Sequence, residues 1–184
     1  MGRHHYTIIN ILRRIRLYTK VNLAALHQQI PNSKYYPGRP QMLVIKMSNQ
    51  RNLQIFSNGT VQILGALSHS SAQSMRLELQ KLLRRIWKRE KCVMSNLTVD
   101  NMVISTQLSE HISFSNIRTS SYNLCYEPEL FPAALISRWL PIHVAVFHNS
   151  KVIITGLKSE LQADMILDFC VVSIVKTMPL LRFA

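Results

Sequence analysis

The chain has 184 residues, 47% of them hydrophobic, which excludes a disordered protein because enough apolar side chains are present to form a core. Its formal net charge of +13 favours a polyanionic partner, although a soluble basic protein without such a partner has the same balance. No apolar run reaches the roughly 18 residues that a membrane-spanning helix needs.

The cysteines and histidines lack the spacing of a metal site. Cys92, Cys125 and Cys170 form no CxxC pair, so neither a disulfide framework nor a zinc site is supported. The sequence also contains no glycine-rich phosphate loop and no nucleophile elbow. It therefore predicts a protein without a cofactor or metal that is not an enzyme.

The first half of the chain begins with a basic segment, residues 1–15, followed by a strand predicted at residues 16–23 (RLYTKVNL). A short helix is expected in AALHQQI. After the proline-containing stretch YYPGRP, residues 42–47 (MLVIKM) alternate as a strand.

A β-hairpin is written twice in this chain. Residues 55–68 (IFSNGTVQILGALS) and residues 146–159 (VFHNSKVIITGLKS) are identical at six of fourteen positions. Both have β-branched residues around a tight turn, and Asn58-Gly59 supplies the positive φ angles that such a turn needs. The duplication predicts two structural repeats.

A long helix is predicted after each hairpin. The first, within residues 68–90 and capped by Ser68 or Ser70, has an apolar stripe and basic residues elsewhere; the stripe consists of Ala72, Met75, Leu79, Leu82, Leu83 and Ile86. The second is capped by Ser159 and ends before Pro179; its stripe is Leu161, Met165, Ile166, Phe169 and Val172.

The second half repeats the order of the first. Residues 101–108 (NMVISTQL) alternate as a strand, residues 111–120 (HISFSNIRTS) are a weaker helix candidate, and a strand at residues 134–140 follows YEPELFP. The predicted fold is α+β, with a first repeat at residues 16–90 and a second at residues 91–184 fused into one domain. Two helices cover one sheet face, so the other face must meet water or a partner.

The stretch YEPELFP, residues 126–132, followed by VFHNSKVIITGLK, resembles the second repeat of the TATA-box-binding proteins. The first hairpin is similar to that family's IFSSGKMVCTGAKS, DNMV resembles its QNMV, and KVNL resembles its TVNL. The resemblance covers roughly residues 16–178. It implies a saddle, in which two pseudo-symmetric repeats form one curved antiparallel sheet with two long helices on the convex face, and the concave face binds the DNA minor groove.

The resemblance assigns DNA-intercalating positions to four residues: Phe131 and Phe147 in the second repeat, and Phe56 and Pro40 in the first. Pro40 replaces an aromatic wedge, with Met42 nearby, so that half of the DNA kink is expected to differ. Ordinary sheet core is the alternative for Phe56 and Phe147.

The resemblance also implies base-edge contacts from Asn101, Val103 and Thr155 in the second repeat. The corresponding first-repeat positions fall on Arg16 and Leu64, so a relaxed or shifted sequence preference is expected. Arg16 suits either a narrow minor groove or a phosphate. Phosphate contacts are implied at Arg39, Lys46, Lys151 and Arg138, with a solvated surface charge as the alternative for each.

An acidic loop is implied to bind a protein partner. Glu127, Glu129 and Leu130 match the family's contact with transcription factor IIB; a merely acidic turn is the alternative. The expected function is a transcription initiation factor that binds and bends AT-rich double-stranded promoter DNA and recruits initiation factors or RNA polymerase, in the nucleus or at a viral transcription site. The alternative is a protein-interaction subunit of a transcription complex that does not bend DNA.

Overall fold

The structure is a computed structural model that describes residues 5–48, 50–87, 92–108 and 124–177, without the side chains of Arg138 and of residues 169–177. The weaker helix candidate at residues 111–120 lies outside the described residues. The described elements, in chain order, are β1 Thr7–Arg16, α1 Leu23–Gln29, β2 Ser33–Tyr36, β3 Met42–Lys46, β4 Asn52–Phe56, β5 Thr60–Ile63, α2 His69–Ile86, β6 Thr98–Gln107, β7 Leu124–Cys125, β8 Ala133–Trp139, β9 Ile142–Phe147, β10 Lys151–Leu157 and α3 Glu160–Thr177.

The strands form one antiparallel sheet of ten, and the chain divides into two compact units. The first unit is Asn10–Asp100, and the second comprises Met1–Ile9 with Asn101–Ala184. The two repeats and the single antiparallel sheet confirm the predicted fold class.

The first unit has the strand order β2-β3-β4-β5-β1. Alternate strand residues are buried against α2, whose side chains Ala72, Met75, Leu79 and Leu83 are fully buried as its stripe predicts. Ser68 is the N-cap of α2, because its hydroxyl accepts a hydrogen bond from the Ser71 N–H at 3.1 Å. Cys92 also lies in this core.

The second unit has the strand order β6-β10-β9-β8-β7. Ile142, Val144 and Val146 of β9 are buried on one face, together with Ala163 and Leu167 of α3. The predicted apolar stripe of α3 is therefore wrong in its first turns, because Leu161 and Met165 are 72% and 64% exposed. A helix this apolar offers more than one candidate stripe, which is why periodicity selected the wrong one.

The strand predicted at residues 16–23 is also wrong. β1 occupies Thr7–Arg16 instead, and Leu23 already begins α1, where Asn22 caps the helix by accepting a hydrogen bond from the Ala25 N–H at 3.1 Å. The alternation of β1 is masked in the sequence because Arg13 is buried beside Ile11 and Ile15 on the core face. The structure also contains the short edge strands β2 and β7, which the sequence analysis did not separate.

Among the described residues, no helix is both long enough and apolar enough to cross a membrane.

Candidate nucleic-acid interface

Each unit has one sheet face buried against its core and a second face, called here the open face, whose side chains remain partly exposed. The two faces alternate along each strand because successive strand residues point to opposite sides. In β4, Leu53 and Ile55 are fully buried, whereas Gln54 and Phe56 are partly exposed. In β9, Val146 is likewise buried and Phe147 is partly exposed.

Two phenylalanines meet on the open face of the second unit. The rings of Phe131 and Phe147 lie edge to face, with centroids 6.1 Å apart and planes at 62°. Phe147 is paired with Ala133 on the adjacent strand, and Phe131 lies two residues before Ala133 in the chain. Phe131 is 43% exposed, so neither the sheet nor α3 covers it. The arrangement is an aromatic pair presented to solvent rather than ordinary sheet core.

The loop before Phe131 is held by backbone and side-chain contacts. The Glu127 carbonyl accepts hydrogen bonds from the Leu130 and Phe131 N–H groups, both at 2.9 Å. Tyr126 and His148 join this loop to the hairpin turn after Phe147 through their hydroxyl and ring nitrogen. Both aromatic rings of the pair are therefore attached to segments that are tied to each other.

The side-chain amide of Asn101 is oriented by the backbone. The Gly156 N–H donates a hydrogen bond to Asn101 Oδ1 at 2.8 Å. Because a backbone N–H can only donate, the contacting amide atom must be the oxygen, and the Nδ2 group keeps its two donors for other partners. Gly156 can take this position because it has no Cβ: at its φ of +91° a Cβ would lie 2.3 Å from the Pro141 carbonyl oxygen.

The first unit presents one phenylalanine in the matching place. Phe56 is paired with Met42 as Phe147 is paired with Ala133, so Met42 corresponds to Ala133. Counting two residues back from Met42 and from Ala133, Pro40 corresponds to Phe131, the position that the family resemblance also assigned to it. Tyr36 is paired with Met42 on its other side, and the Lys34 ammonium lies 5.1 Å from the centre of the Tyr36 ring.

Strand register identifies a residue that the sequence analysis missed. Arg16 is paired with Thr60, and Gln107 is paired with Lys151, the residue that corresponds to Thr60 in the second hairpin. Arg16 therefore corresponds to Gln107, and counting back along both strands brings Asn10 to the position of Asn101. The shared pattern of Asn10-Ile11-Leu12 and Asn101-Met102-Val103 carries this signal, but it lies inside the segment assigned to a basic extension.

The remaining candidate residues are either exposed or partly exposed. The basic side chains Arg16, Arg39, Lys46 and Lys151 are exposed, and the side chain of Arg138 lies outside the described residues. Leu64, Val103 and Thr155 are partly exposed. The acidic loop is exposed at Glu127, Glu129 and Leu130, with Leu130 at 79%.

Three comparisons with known proteins bear on this geometry. The family model described as "Transcription factor TFIID (or TATA-binding protein, TBP)" matches the chain twice, at residues 5–86 and 96–177. The chain is a member of the TATA-binding protein family. The first match includes β1, which agrees with the position of Asn10.

Archaeal relatives align along most of the chain. The TATA-box-binding protein of Thermococcus celer is 28% identical over 155 residues, which are 83% of this chain and 82% of that protein. That of Pyrococcus horikoshii is 28% identical over 164 residues, covering 85% and 82%. The solved structure of Methanococcus jannaschii TBP matches with a TM-score of 0.75 and 25% identity, covering 94% of this chain and 99% of that one.

Family membership settles the class of protein. TATA-binding proteins are transcription factors that bind DNA, and they are not enzymes, which confirms the prediction for this chain. Among the described residues, no group of three or more His, Cys, Asp or Glu side chains is placed to hold a metal ion.

Proposed function

We propose that this protein binds promoter DNA through the open faces of its two units, bends the duplex by inserting side chains from the minor groove, and recruits initiation factors. The observation that carries the proposal is the exposed pair Phe131–Phe147. Apolar rings left in water on a sheet face indicate a surface that a partner covers. Rings that project beyond a sheet are suited to entering a base step and unstacking it.

The hydrogen-bonding groups suit the minor groove of A·T base pairs. Those pairs present only acceptors there, adenine N3 and thymine O2. Asn101 directs its two Nδ2 donors away from Gly156, and Thr155 adds a hydroxyl donor on the neighbouring strand. Val103 is an apolar neighbour that excludes water. Asn10 is the equivalent donor in the first unit.

The exposed basic side chains supply the phosphate contacts. Arg39, Lys46 and Lys151 belong to or flank strands that carry open-face residues, and Arg16 ends β1. Each neutralised phosphate releases counterions, so affinity should fall steeply as salt is raised. Arg138 keeps its place in this set as a prediction.

Recruitment is assigned to the acidic loop. Leu130 is 79% exposed and follows the acidic residues Glu127 and Glu129 in the chain, and the turn that Glu127 closes fixes its position. An apolar anchor preceded by two acidic residues suits a protein partner of basic surface, as in the family's contact with transcription factor IIB. The nuclear or viral compartment stays a prediction, because the archaeal relatives act in cells that have no nucleus.

The interaction-subunit alternative is favoured by two observations in the first unit. Pro40 stands where the second unit has Phe131, and Leu64 stands where it has Thr155. A third argument, the apparent loss of the central asparagine, weakens because Asn10 occupies that register.

A binding and bending assay separates the two functions. The double variant Phe131→Ala, Phe147→Ala should lower affinity for an AT-rich duplex at least tenfold and abolish the change in end-to-end fluorescence transfer that reports bending. Leu161→Ala is the control, since it removes an even more exposed apolar side chain from α3 and should bind as the unaltered protein does. Unchanged binding by the double variant, or no duplex bound at low salt, would establish the interaction subunit instead.

The recruiting loop needs its own test. Glu129→Lys combined with Leu130→Ala should leave duplex binding unchanged and prevent a transcription factor IIB-like protein from shifting the bound duplex further in a gel. If this variant still recruits the partner, the proposed role of the acidic loop is contradicted, whereas the proposed DNA binding is not.

A further inference from the structure

The two units differ most in the middle row of the open face. In the first unit, strand pairing sets Val44, Gln54, Gln62 and Arg14 side by side across four strands. In the second unit the same pairing sets Leu135, Ala145, Ile153 and Ser105 side by side. Gln54 corresponds to Ala145, because each lies two residues before its unit's phenylalanine, and Gln62 corresponds to Ile153 across the turn.

The two glutamines are available to a ligand. Both are partly exposed on the open face, and within the described part of the chain neither side-chain amide makes a hydrogen bond. They lie directly opposite each other on β4 and β5. Arg14 beyond them is held by Asp100, with the guanidinium nitrogen 3.2 Å from the carboxylate oxygen.

Glutamine and aliphatic side chains differ in the hydrogen-bonding groups that they offer to guanine in the minor groove. In the minor groove a G·C pair differs from an A·T pair by the guanine N2 amino group, a hydrogen-bond donor. A glutamine amide offers a carbonyl acceptor to that amino group and an NH₂ donor to the acceptors of either pair. Ala145 and Ile153 offer no acceptor, so an amino group pressed against them loses its hydrogen bond to water without replacement.

We infer that Gln54 and Gln62 make the first unit tolerant of G·C pairs, whereas the second unit requires A·T pairs. This inference rests on the proposed minor-groove binding and adds to it the sequence content of each half of the site. The protein reads a mixed site: one half is restricted to A·T, and the other is open to G·C.

The test starts from a palindromic AT-rich parent duplex, into which G·C pairs are introduced in neither half, one half or both halves. Because the two halves of the parent are equivalent, the protein can bind with its first unit on the G·C half without any cost from the rest of the site. Matched duplexes carry inosine in place of guanine, which deletes only the minor-groove amino group. Affinities are compared at one fixed salt concentration.

For the unaltered protein, the affinity for the duplex with G·C pairs in one half should be within about threefold of the affinity for its inosine counterpart. The affinity for the duplex with G·C pairs in both halves should be at least about tenfold lower than for its inosine counterpart. Gln54→Ala with Gln62→Ile, which copies the second unit, should show that tenfold loss with one half substituted. Adding Ala145→Gln and Ile153→Gln to this variant should restore tolerance to one half. Thermal melting identifies any variant that is not folded.

The outcomes separate the two proposals. Duplexes that bind, but with the same guanine penalty before and after the glutamine replacements, overturn the assignment of Gln54 and Gln62 and leave minor-groove binding intact. Failure of the unaltered protein to bind any duplex overturns both. Restoration by the transplanted glutamines supports the inference and excludes a merely structural role for the original pair.

Discussion

Replacing Asn101 by aspartate tests the base-edge contact without disturbing its support. The aspartate keeps an oxygen for the Gly156 N–H, which lies 2.8 Å from Asn101 Oδ1, and replaces the two Nδ2 donors by a second acceptor. A well-placed side-chain contact to a base edge contributes about 1–3 kcal/mol. Losing it at the middle of that range, about 2 kcal/mol, weakens binding about thirtyfold, and repulsion between the carboxylate and the base acceptors adds to this loss.

The assay is fluorescence anisotropy with a labelled AT-rich duplex, accompanied by denaturant unfolding. Unfolding should be nearly unchanged, within about 0.5 kcal/mol, because the hydrogen bond from Gly156 is retained. Gln28→Glu makes the same amide-to-carboxylate change on exposed α1 and measures the effect of one added negative charge. If Asn101→Asp binds no more weakly than Gln28→Glu, Asn101 does not donate to bases, and the argument from its orientation fails.

Three further predictions concern stability and reactivity. Gly59→Ala should destabilise the fold by about 3 kcal/mol, because the φ of Gly59 is +86° and a Cβ would lie 2.4 Å from the Leu17 carbonyl oxygen. Gly65→Ala should cost only about 1 kcal/mol, because the φ of Gly65 is +72° but no atom lies within 4 Å of its Cβ position. Equal unfolding midpoints of the two variants in urea would contradict the steric argument. Ser68→Ala should cost about 1 kcal/mol through loss of the N-cap of α2, and an unchanged melting temperature would show that the cap contributes nothing. Burial raises the pKa of the Cys92 thiol, so less of it is thiolate at pH 8, and iodoacetamide should alkylate exposed Cys125 first by peptide mass spectrometry; the reverse order contradicts the burial of Cys92.

The sequence predicted the repeated parts of the fold because the repeat supplied independent evidence. Each hairpin and the helix after it were found twice, and the structure has them as β4–β5 with α2 and β9–β10 with α3. β1 was missed because its core face includes a buried arginine, Arg13, whose pKa is lowered by that burial. Alternation of hydrophobic residues cannot reveal a strand whose buried face contains a charge.

The candidate site was predicted unevenly for a similar reason. Phe131, Phe147 and Asn101 lie in segments whose resemblance to the family is strong, and strand register agrees with the position given to Pro40. Asn10 was missed because it lies within residues 1–15, the segment that was assigned to a basic extension, although Asn10 and Asn101 lie equally far before the hairpins of their halves. The row of Gln54 and Gln62 emerges only when strand pairing is known, since its members are scattered along the chain.

The unequal rows of the open faces have a consequence for direction. The two strands of a double helix share one minor groove, so a protein built from two equal halves would bind it equally well in both orientations. On the inference drawn for Gln54 and Gln62, a site that carries G·C pairs in one half would be bound in one preferred orientation, because only the first unit tolerates that half. Divergence between two copies of one repeat would in that case supply a preferred direction of binding that a fully symmetric protein lacks.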